Sequence, residues 1–393
     1  MDGNIVLVST KRQLETDDII LGSCRPVFFR PELDAMRFFA FLCVFLHHTL
    51  TPPAVHGVLE KVTLRGTFAS SAKFAVSLFF LLSGYLITTL LGMEKEYTGQ
   101  VHLAAFYQRR IARIWPLYYA FMILVLLTGT IVPRLMPSAG AVAASTLFSG
   151  NWFLILGGAS LVGGLGILWS VNVEEQFYLV WPLVAKYSGR RSLIWISTIT
   201  IFSSLAVLMV CGAQGIFSDV SLRFNPLVEM QFFAGGALLS IWLPKDGLRV
   251  PAPIRLVFAF SGLLCWFLGT RWFGVVGPVP APAWWMPSAL YECVLAGCVL
   301  LFLSFFGVPE RFFPRKILWL GKISYGLYVY QAIVLTLMPG LPAKWSHRAG
   351  LNGVRVCLEL LLVIVLAGVS YRWLEMPFLR LKRRSTFIAN RNP

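Results

Sequence analysis

The residues able to do chemistry in this chain stand in apolar surroundings. His47 and His48 lie side by side in FLCVFLHHTL. Arg37 opens that run, and eleven residues at about 1.5 Å each place His48 about 16 Å further along a helix. Such histidines can be packing residues satisfied by neighbouring helices, but a neutral imidazole is also the side chain best suited to take a proton near pH 7. LWSVNVEEQFYLVWPL offers Trp169, Ser170, Glu174, Glu175 and Tyr178. Ser170, Glu174 and Tyr178 recur every four residues and share a helix face, whereas Glu174 and Glu175 point in different directions. Anchoring at a membrane interface is the plainer role for this group. FYQRRIARIWPLYY places Arg109, Arg110 and Arg113 ahead of a Trp-Pro helix start. Arg109 and Arg113 are i, i+4 neighbours able to meet one phosphate-bearing ligand, though arginines here also serve as topology signals. GKISYGLYVYQ adds Ser324, Tyr325, Tyr328 and Gln331, a polar stripe equally suited to hydrogen bonding between helices. Glu359 lies deep in the following span, and Glu375 follows it in YRWLEMPF.

These groups have to be positioned by a membrane bundle. The 393 residues are 57% hydrophobic and only 13% charged, against about 25% charged in soluble domains. That excludes a soluble enzyme and any disordered, collagen-like or disulfide-scaffold chain. Apolar stretches near 38–56, 68–91, 114–133, 167–185, 193–212, 226–243, 254–270, 288–307, 317–338 and 353–373 predict an all-α polytopic membrane protein of about ten transmembrane helices. The stretch at 141–165 holds many Gly and Ser residues and is expected to be re-entrant or interfacial on the outer side. With both termini cytoplasmic, 25 of the 34 Lys and Arg residues fall inside, as the positive-inside bias requires. An eleventh span would reverse this for the later loops. The formal charge of +16 is therefore read as topology, with membrane lipid and not nucleic acid as the partner. Seven cysteines form no CxxC pair and are expected to be small buried hydrophobes, so no metal site is expected. The N-terminal segment has no run long enough for a signal peptide. Trp272, Trp284 and Trp285 in the proline-rich outer loop fit an aromatic belt better than a sugar platform. No fixed-period repeat or matched pair of broken helices supports an inverted-repeat transporter.

Taken in order, LDAMRFFAFLCVFLHH, FFLLSGYLITTLL, FYQRRIARIWPLYY, LWSVNVEEQFYLVWPL, GKISYGLYVYQ and SYRWLEMPFL closely resemble the landmarks of the acyltransferase-3 family of bacterial membrane O-acyltransferases. The resemblance covers about residues 30–380, flanked by an N-terminal cytoplasmic tail (1–29) and a basic tail (381–393). It implies transfer of an acyl group, most often acetyl, from acyl-CoA as co-substrate to a hydroxyl of a sugar or glycoside, at the inner (cytoplasmic) membrane, with no permanently bound cofactor. The family's Arg-ten-residues-His hallmark lands on Arg37 and His48, which makes His48 the catalytic histidine and turns His47 toward helices or lipid. Its WS-x-x-x-E pattern lands on Trp169, Ser170 and Glu174, with Glu174 as the second catalytic residue, orienting the imidazole or binding the acceptor. Arg37, Arg109, Arg110 and Arg113 would hold the CoA phosphates. Ser83, Ser170, Tyr178, Ser324, Tyr325, Tyr328 and Gln331 are the expected polar lining of the pocket. Gln331 stands where the family often has a histidine, and an amide cannot carry a proton. Longer members add a C-terminal hydrolase-like domain, which is not expected here. Two chemical routes remain open, general-base attack and an acyl-histidine intermediate. A proton-coupled transporter or flippase of a sugar or anionic substrate is the competing function.

Overall fold

Within lipid every backbone N–H and C=O needs an internal partner, so a spanning chain folds as helices or as a closed barrel. Every regular element among the described residues is helical. The computed structural model describes residues 28–50, 63–157, 163–245, 247–274, 282–338, 349–382 and 387. In order the helices are α1 (Pro31–Leu50), α2 (Leu64–Ser71), α3 (Ala75–Thr98), α4 (Leu103–Ile131), α5 (Ala139–Thr146), α6 (Gly150–Ile155), α7 (Trp169–Tyr187) and α8 (Arg190–Ala213). They continue with α9 (Asp219–Arg223), α10 (Pro226–Trp242), α11 (Ala252–Phe273), α12 (Met286–Phe305), α13 (Arg315–Lys322), α14 (Ser324–Leu337), α15 (Ala349–Ser370) and α16 (Met376–Lys382).

Seven helical stretches among the described residues are long and apolar enough to cross a membrane: 31–50, 64–98, 103–131, 190–213, 252–273, 286–305 and 352–380. The chain is an all-α, multi-pass membrane protein. The three other expected spans fall on α7, α10 and α14. The 19-residue α7 carries Asn172, Glu174, Glu175 and Gln176, which lower its apolarity. At 17 and 14 residues, α10 and α14 are about 26 and 21 Å long, shorter than the roughly 30 Å hydrocarbon layer. Within the expected re-entrant stretch, α5 and α6 have 8 and 6 residues, about 12 and 9 Å each, too short to cross. Outward faces of α8 and α11 leave Phe202, Leu256 and Phe260 exposed, the pattern of a lipid-facing surface.

Three expectations about elements need correcting. The stretch 317–338 is not one continuous helix. It breaks at Ile323 into α13 and α14, and Gly321 lies so close to α1 that a Cβ there would meet the backbone of Asp34. Arg109, Arg110 and Arg113 do not precede a helix start. They lie inside α4, which begins at Leu103 and continues through Pro116. Arg37 likewise lies nearly two turns into α1 instead of at its mouth.

Much of the core forms around α3. A Cβ on Gly84 would land on the carbonyl of Phe233, and one on Gly236 on the carbonyl of Leu81, so α3 and α10 touch backbone to backbone. Small residues at such crossings replace the hydrophobic drive that lipid removes. Trp181 Nε1 donates to Thr88 Oγ1 at 2.9 Å, joining α7 to the same helix. At its far end Lys95 Nζ donates to the carbonyls of Ala185, Lys186 and Ser188 at 3.2, 2.9 and 2.9 Å. This satisfies the otherwise unpaired carbonyls that end α7 and places a cation against the negative end of its dipole.

Candidate active site

The last turn of α1 delivers His47 and His48 to a cavity of about 250 Å³. Its walls come from α1, the start of α3 and the turn before it, α6, the 163–168 strap, the first residue of α7, the end of α9 and α14. Val44, Lys73, Trp169, Arg223, Phe224 and Tyr328 contribute side chains. Both histidines line this space, which corrects the expectation that His47 turns away. Adjacent helical residues diverge by about 100°, but a cavity formed at a helix end wraps around the final turn and takes both. The rings lie 5.0 Å apart between centroids. His47 Nδ1 is 2.8 Å from the carbonyl oxygen of Ala69. A carbonyl only accepts, so Nδ1 carries the proton and Nε2 keeps its lone pair. His47 is half-buried and His48 exposed.

Tyr328 is held against the cavity from behind. Ser170 Oγ donates to its hydroxyl at 2.7 Å, and that hydroxyl donates to the carbonyl of Ile167 at 3.2 Å. The Trp169 and Phe224 rings meet at 4.6 Å between centroids, tilted by 34°. The Arg223 guanidinium lies over both rings, 5.6 Å from Trp169 and 5.1 Å from Phe224.

Glu174 sits one turn beyond Ser170 and is not among the described residues lining the cavity. Its Oε1 accepts from Ser83 Oγ and from Tyr178 Oη, and Tyr178 and Ser83 are themselves 3.3 Å apart. The expected partnership of Glu174 with His48 is replaced by this Ser83–Glu174–Tyr178 triad, because the helix face shared by Ser170, Glu174 and Tyr178 packs against α3 and α14. Glu175 points elsewhere, to within 3.5 Å of Trp115 Nε1.

The triad leads to the arginines. Arg110 lies over the rings of Tyr178 and Phe106 at 5.0 and 5.4 Å, and its Nε has no hydrogen-bond partner among the described residues. Arg37 is paired with Asp34 at 2.9 Å and lies within electrostatic reach of Arg113 and Tyr178. Arg113 reaches Glu375 in the same way. Tyr325 donates to the carbonyl of Ile114 at 3.1 Å, fastening α14 to this part of α4. Arg109 departs from the set. Its guanidinium binds the buried Glu94 at 2.8 Å, and the backbone N–H of His102 adds a second bond to that carboxylate at 2.9 Å. Arg109 and Arg113 therefore do not form the expected two-pronged clamp; Arg37, Arg110 and Arg113 converge instead.

Of the remaining expected lining, Ser324 and Gln331 are buried, and neither amide atom of Gln331 has a hydrogen-bond partner among the described residues. Lys73 and Arg223 went unnoticed in the sequence. Lys73 was visible as the one cation inside FASSAKFAVSLFF. Arg223 sits in a short polar connection and carries no sequence signal of its own.

A family model described as an acyltransferase domain (the acyltransferase-3 domain) matches residues 30–372. The chain belongs to the acyltransferase-3 family. Its relatives include a peptidoglycan O-acetyltransferase, OatA, of Listeria monocytogenes, 25% identical over 381 residues that cover 91% of this chain and 56% of the relative. An O-acetyltransferase OatA of Staphylococcus aureus is 26% identical over 367 residues, covering 89% of this chain and 57% of the relative. The chain thus spans a little over half the length of these relatives. No solved structure matches it. The match covers most of the expected 30–380 domain, and the tails at 1–27 and 383–393 lie outside the described residues apart from position 387.

Proposed function

We propose that this acyltransferase-3 protein is an O-acetyltransferase of the bacterial cytoplasmic membrane. It takes acetyl from acetyl-CoA and places it on a carbohydrate hydroxyl, peptidoglycan being the acceptor that the Listeria relative's name gives. The observation that carries this reading is the composition of α1. One helix bears an arginine that joins the Arg110–Arg113 cluster and, about 16 Å further on, two histidines in a cavity. The arginine cluster offers donors of the kind that bind CoA phosphates, and a pantetheine arm is long enough to cover the distance to the histidines.

In the reaction the acceptor oxygen attacks the thioester carbonyl carbon while an imidazole Nε2 takes its proton. The tetrahedral intermediate collapses with loss of the CoA thiolate, which recovers a proton, leaving the acetyl ester. By the family spacing from Arg37, His48 is the base. Attack by the imidazole itself, giving an acyl-histidine, is the alternative order of the same bond changes. Glu174 acts at one remove, holding Tyr178 and through it the wall on which Arg110 rests.

The test is transfer of radiolabelled acetyl from acetyl-CoA, by the protein purified in detergent, to glycan fragments and small glycosides. The expected result is an alkali-labile acetyl ester that does not form with His48→Ala. Failure of every donor and acceptor pair with a correctly folded protein overturns the proposal.

A further inference from the structure

The end of α1 that carries the histidines lacks backbone donors, and a second helix supplies one. In an α-helix the carbonyl of residue i accepts from the N–H of residue i+4, so the last turn must find its donors elsewhere. The carbonyls of His48 and Thr49 would look to positions 52 and 53, and both are proline, which has no N–H to give. Thr49 is buried, and a buried carbonyl needs a partner. Its own hydroxyl turns back along the helix, to the carbonyls of Phe45 and Leu46 at 3.0 and 3.3 Å.

The donor comes from α15. Arg355 Nη2 lies 3.3 Å from the Thr49 carbonyl oxygen. Nη1 of the same guanidinium lies 3.4 Å from Glu359 Oε1, one turn further along α15. Glu359 is fully buried. Among the described residues neither of its carboxylate oxygens accepts a hydrogen bond, so Arg355 is the charge that neutralises it. Such a pair is costly to place in a membrane span, and replacing a buried pair by apolar residues often loses no stability. Stability alone therefore does not account for it. On the other flank His47 Nδ1 is tied to the carbonyl of Ala69 in α2 at 2.8 Å. The last turn of α1 is thus attached to α2 through His47 and to α15 through Thr49, and His48 is the residue between the two attachments.

From this we infer that Arg355 is a positioning residue of the transferase, with Glu359 as the charge that fixes its guanidinium. The arginine stands in for the N–H groups that Pro52 and Pro53 lack and sets a cation against the negative end of the α1 dipole. The final turn stays helical and presents His48 to the cavity. The inference deepens the proposed function and rests on it for the catalytic role of His48. The attachment of α1 to α15 does not depend on that reading.

Two measurements on the purified protein in detergent separate these. Acetyl transfer gives kcat and the KM for acetyl-CoA, and hydrogen exchange without any donor gives the protection of the amides of residues 45–50. Arg355→Gln alone would strand the Glu359 carboxylate, so the deciding variant is Arg355→Met combined with Glu359→Leu. It leaves no buried charge unpaired, and its thermal transition should match that of the unmodified protein. Its kcat should fall by up to about a hundredfold, as a displacement of about 1 Å at a catalytic group implies. The KM for acetyl-CoA should not change, because the arginine cluster lies at the other end of α1. The amides of 45–50 should exchange at least about tenfold faster, as loss of a charge-assisted bond implies. In the unmodified protein, which needs no variant to fold, the same amides should be protected; exchange there at the rate of an unstructured peptide overturns the attachment. A double variant with native kcat and native exchange overturns the inference, and so does a kcat that falls only in step with the thermal transition. Expected exchange without transfer by any form of the protein upholds the attachment and removes the transferase reading. Transfer with native kcat and native exchange in the double variant does the reverse.

Discussion

Replacing the two histidines one at a time distinguishes the roles that their geometry assigns. His48 is exposed in the cavity and stands at the family spacing from Arg37, whereas His47 is tied through Nδ1 to the Ala69 carbonyl at 2.8 Å and lies 5.0 Å from its neighbour's ring. If His48 is the base, His48→Ala removes proton transfer and lowers kcat by about 10²–10⁴. His47→Ala removes one hydrogen bond, worth about 0.5–1.5 kcal/mol, and a ring contact that steadies the base. Passed fully into the barrier, that loss is roughly two- to thirteenfold in kcat, a larger effect than a lipid-facing histidine would show. Because both residues serve one step, the double variant should be no slower than His48→Ala alone. Steady-state acetyl transfer from labelled acetyl-CoA, with insertion checked by the thermal transition in detergent, provides the numbers. The acid limb of the pH–rate profile should disappear with the base, since a protonated imidazole cannot accept a proton. The reasoning is refuted if His47→Ala is inactive and His48→Ala retains most of its rate. In that case the unprotonated Nε2 of His47 is the base and the Arg37 spacing has selected the wrong ring.

The arginines give a second contrast: Arg110→Ala and Arg113→Ala should each raise KM for acetyl-CoA at least about tenfold, as loss of a charge-assisted phosphate contact implies. Arg109→Ala should act mainly on stability, because Glu94 would keep its buried carboxylate without the guanidinium, a loss of about 3–5 kcal/mol; an unchanged melting curve would contradict this. Glu174→Gln should keep most of the fold and a measurable rate, while Glu174→Ala, which strips Ser83 and Tyr178 of their shared acceptor, should melt earlier by about 1–3 kcal/mol. Gly236→Leu should abolish assembly of the bundle, read as loss of a monodisperse peak in detergent, because its Cβ meets the Leu81 backbone. Cysteines placed at Ser188 and Gly247 should react with a membrane-impermeant reagent only after the inner face is opened; labelling of both in intact cells would overturn the ten-span arrangement.

Apolar run length made the helices legible, since a bilayer leaves little choice of secondary structure. Boundaries were less so. α1 begins at Pro31 and α4 at Leu103, each well ahead of its apolar stretch, because charges such as Arg37 and Arg110 are carried inside the helices against aromatic and acidic partners. The break at Ile323 was hidden for a related reason: nothing in the local apolarity of 317–338 reports that Gly321 meets the backbone of another helix. Spacing also put Ser170, Glu174 and Tyr178 on one face, but it could not tell which neighbour that face would meet. Ser170 went to Tyr328 and Glu174 to Ser83, partners 158 and 91 residues away along the chain. Arg109 was misread because its partner, Glu94, lies on the preceding helix. A sequence pattern finds a charge more readily than the buried group that neutralises it.

Two charged regions flank the apolar middle of α1, and their placement bears on direction. Around Arg37, Arg110 and Arg113 the structure also holds Asp34, Glu174 and Glu375, so a bound polyphosphate would compete with resident carboxylates. Such competition lowers affinity and favours release, as suits a co-substrate that must leave as free CoA after each turnover. At the other end the described lining of the cavity carries Lys73 and Arg223 beside the two histidines. Under the proposed function, donor and acceptor therefore approach from opposite ends of one helix. The acetyl group crosses the apolar interval near Val44 on the pantetheine arm, and neither carries a charge, which removes the main obstacle to the crossing.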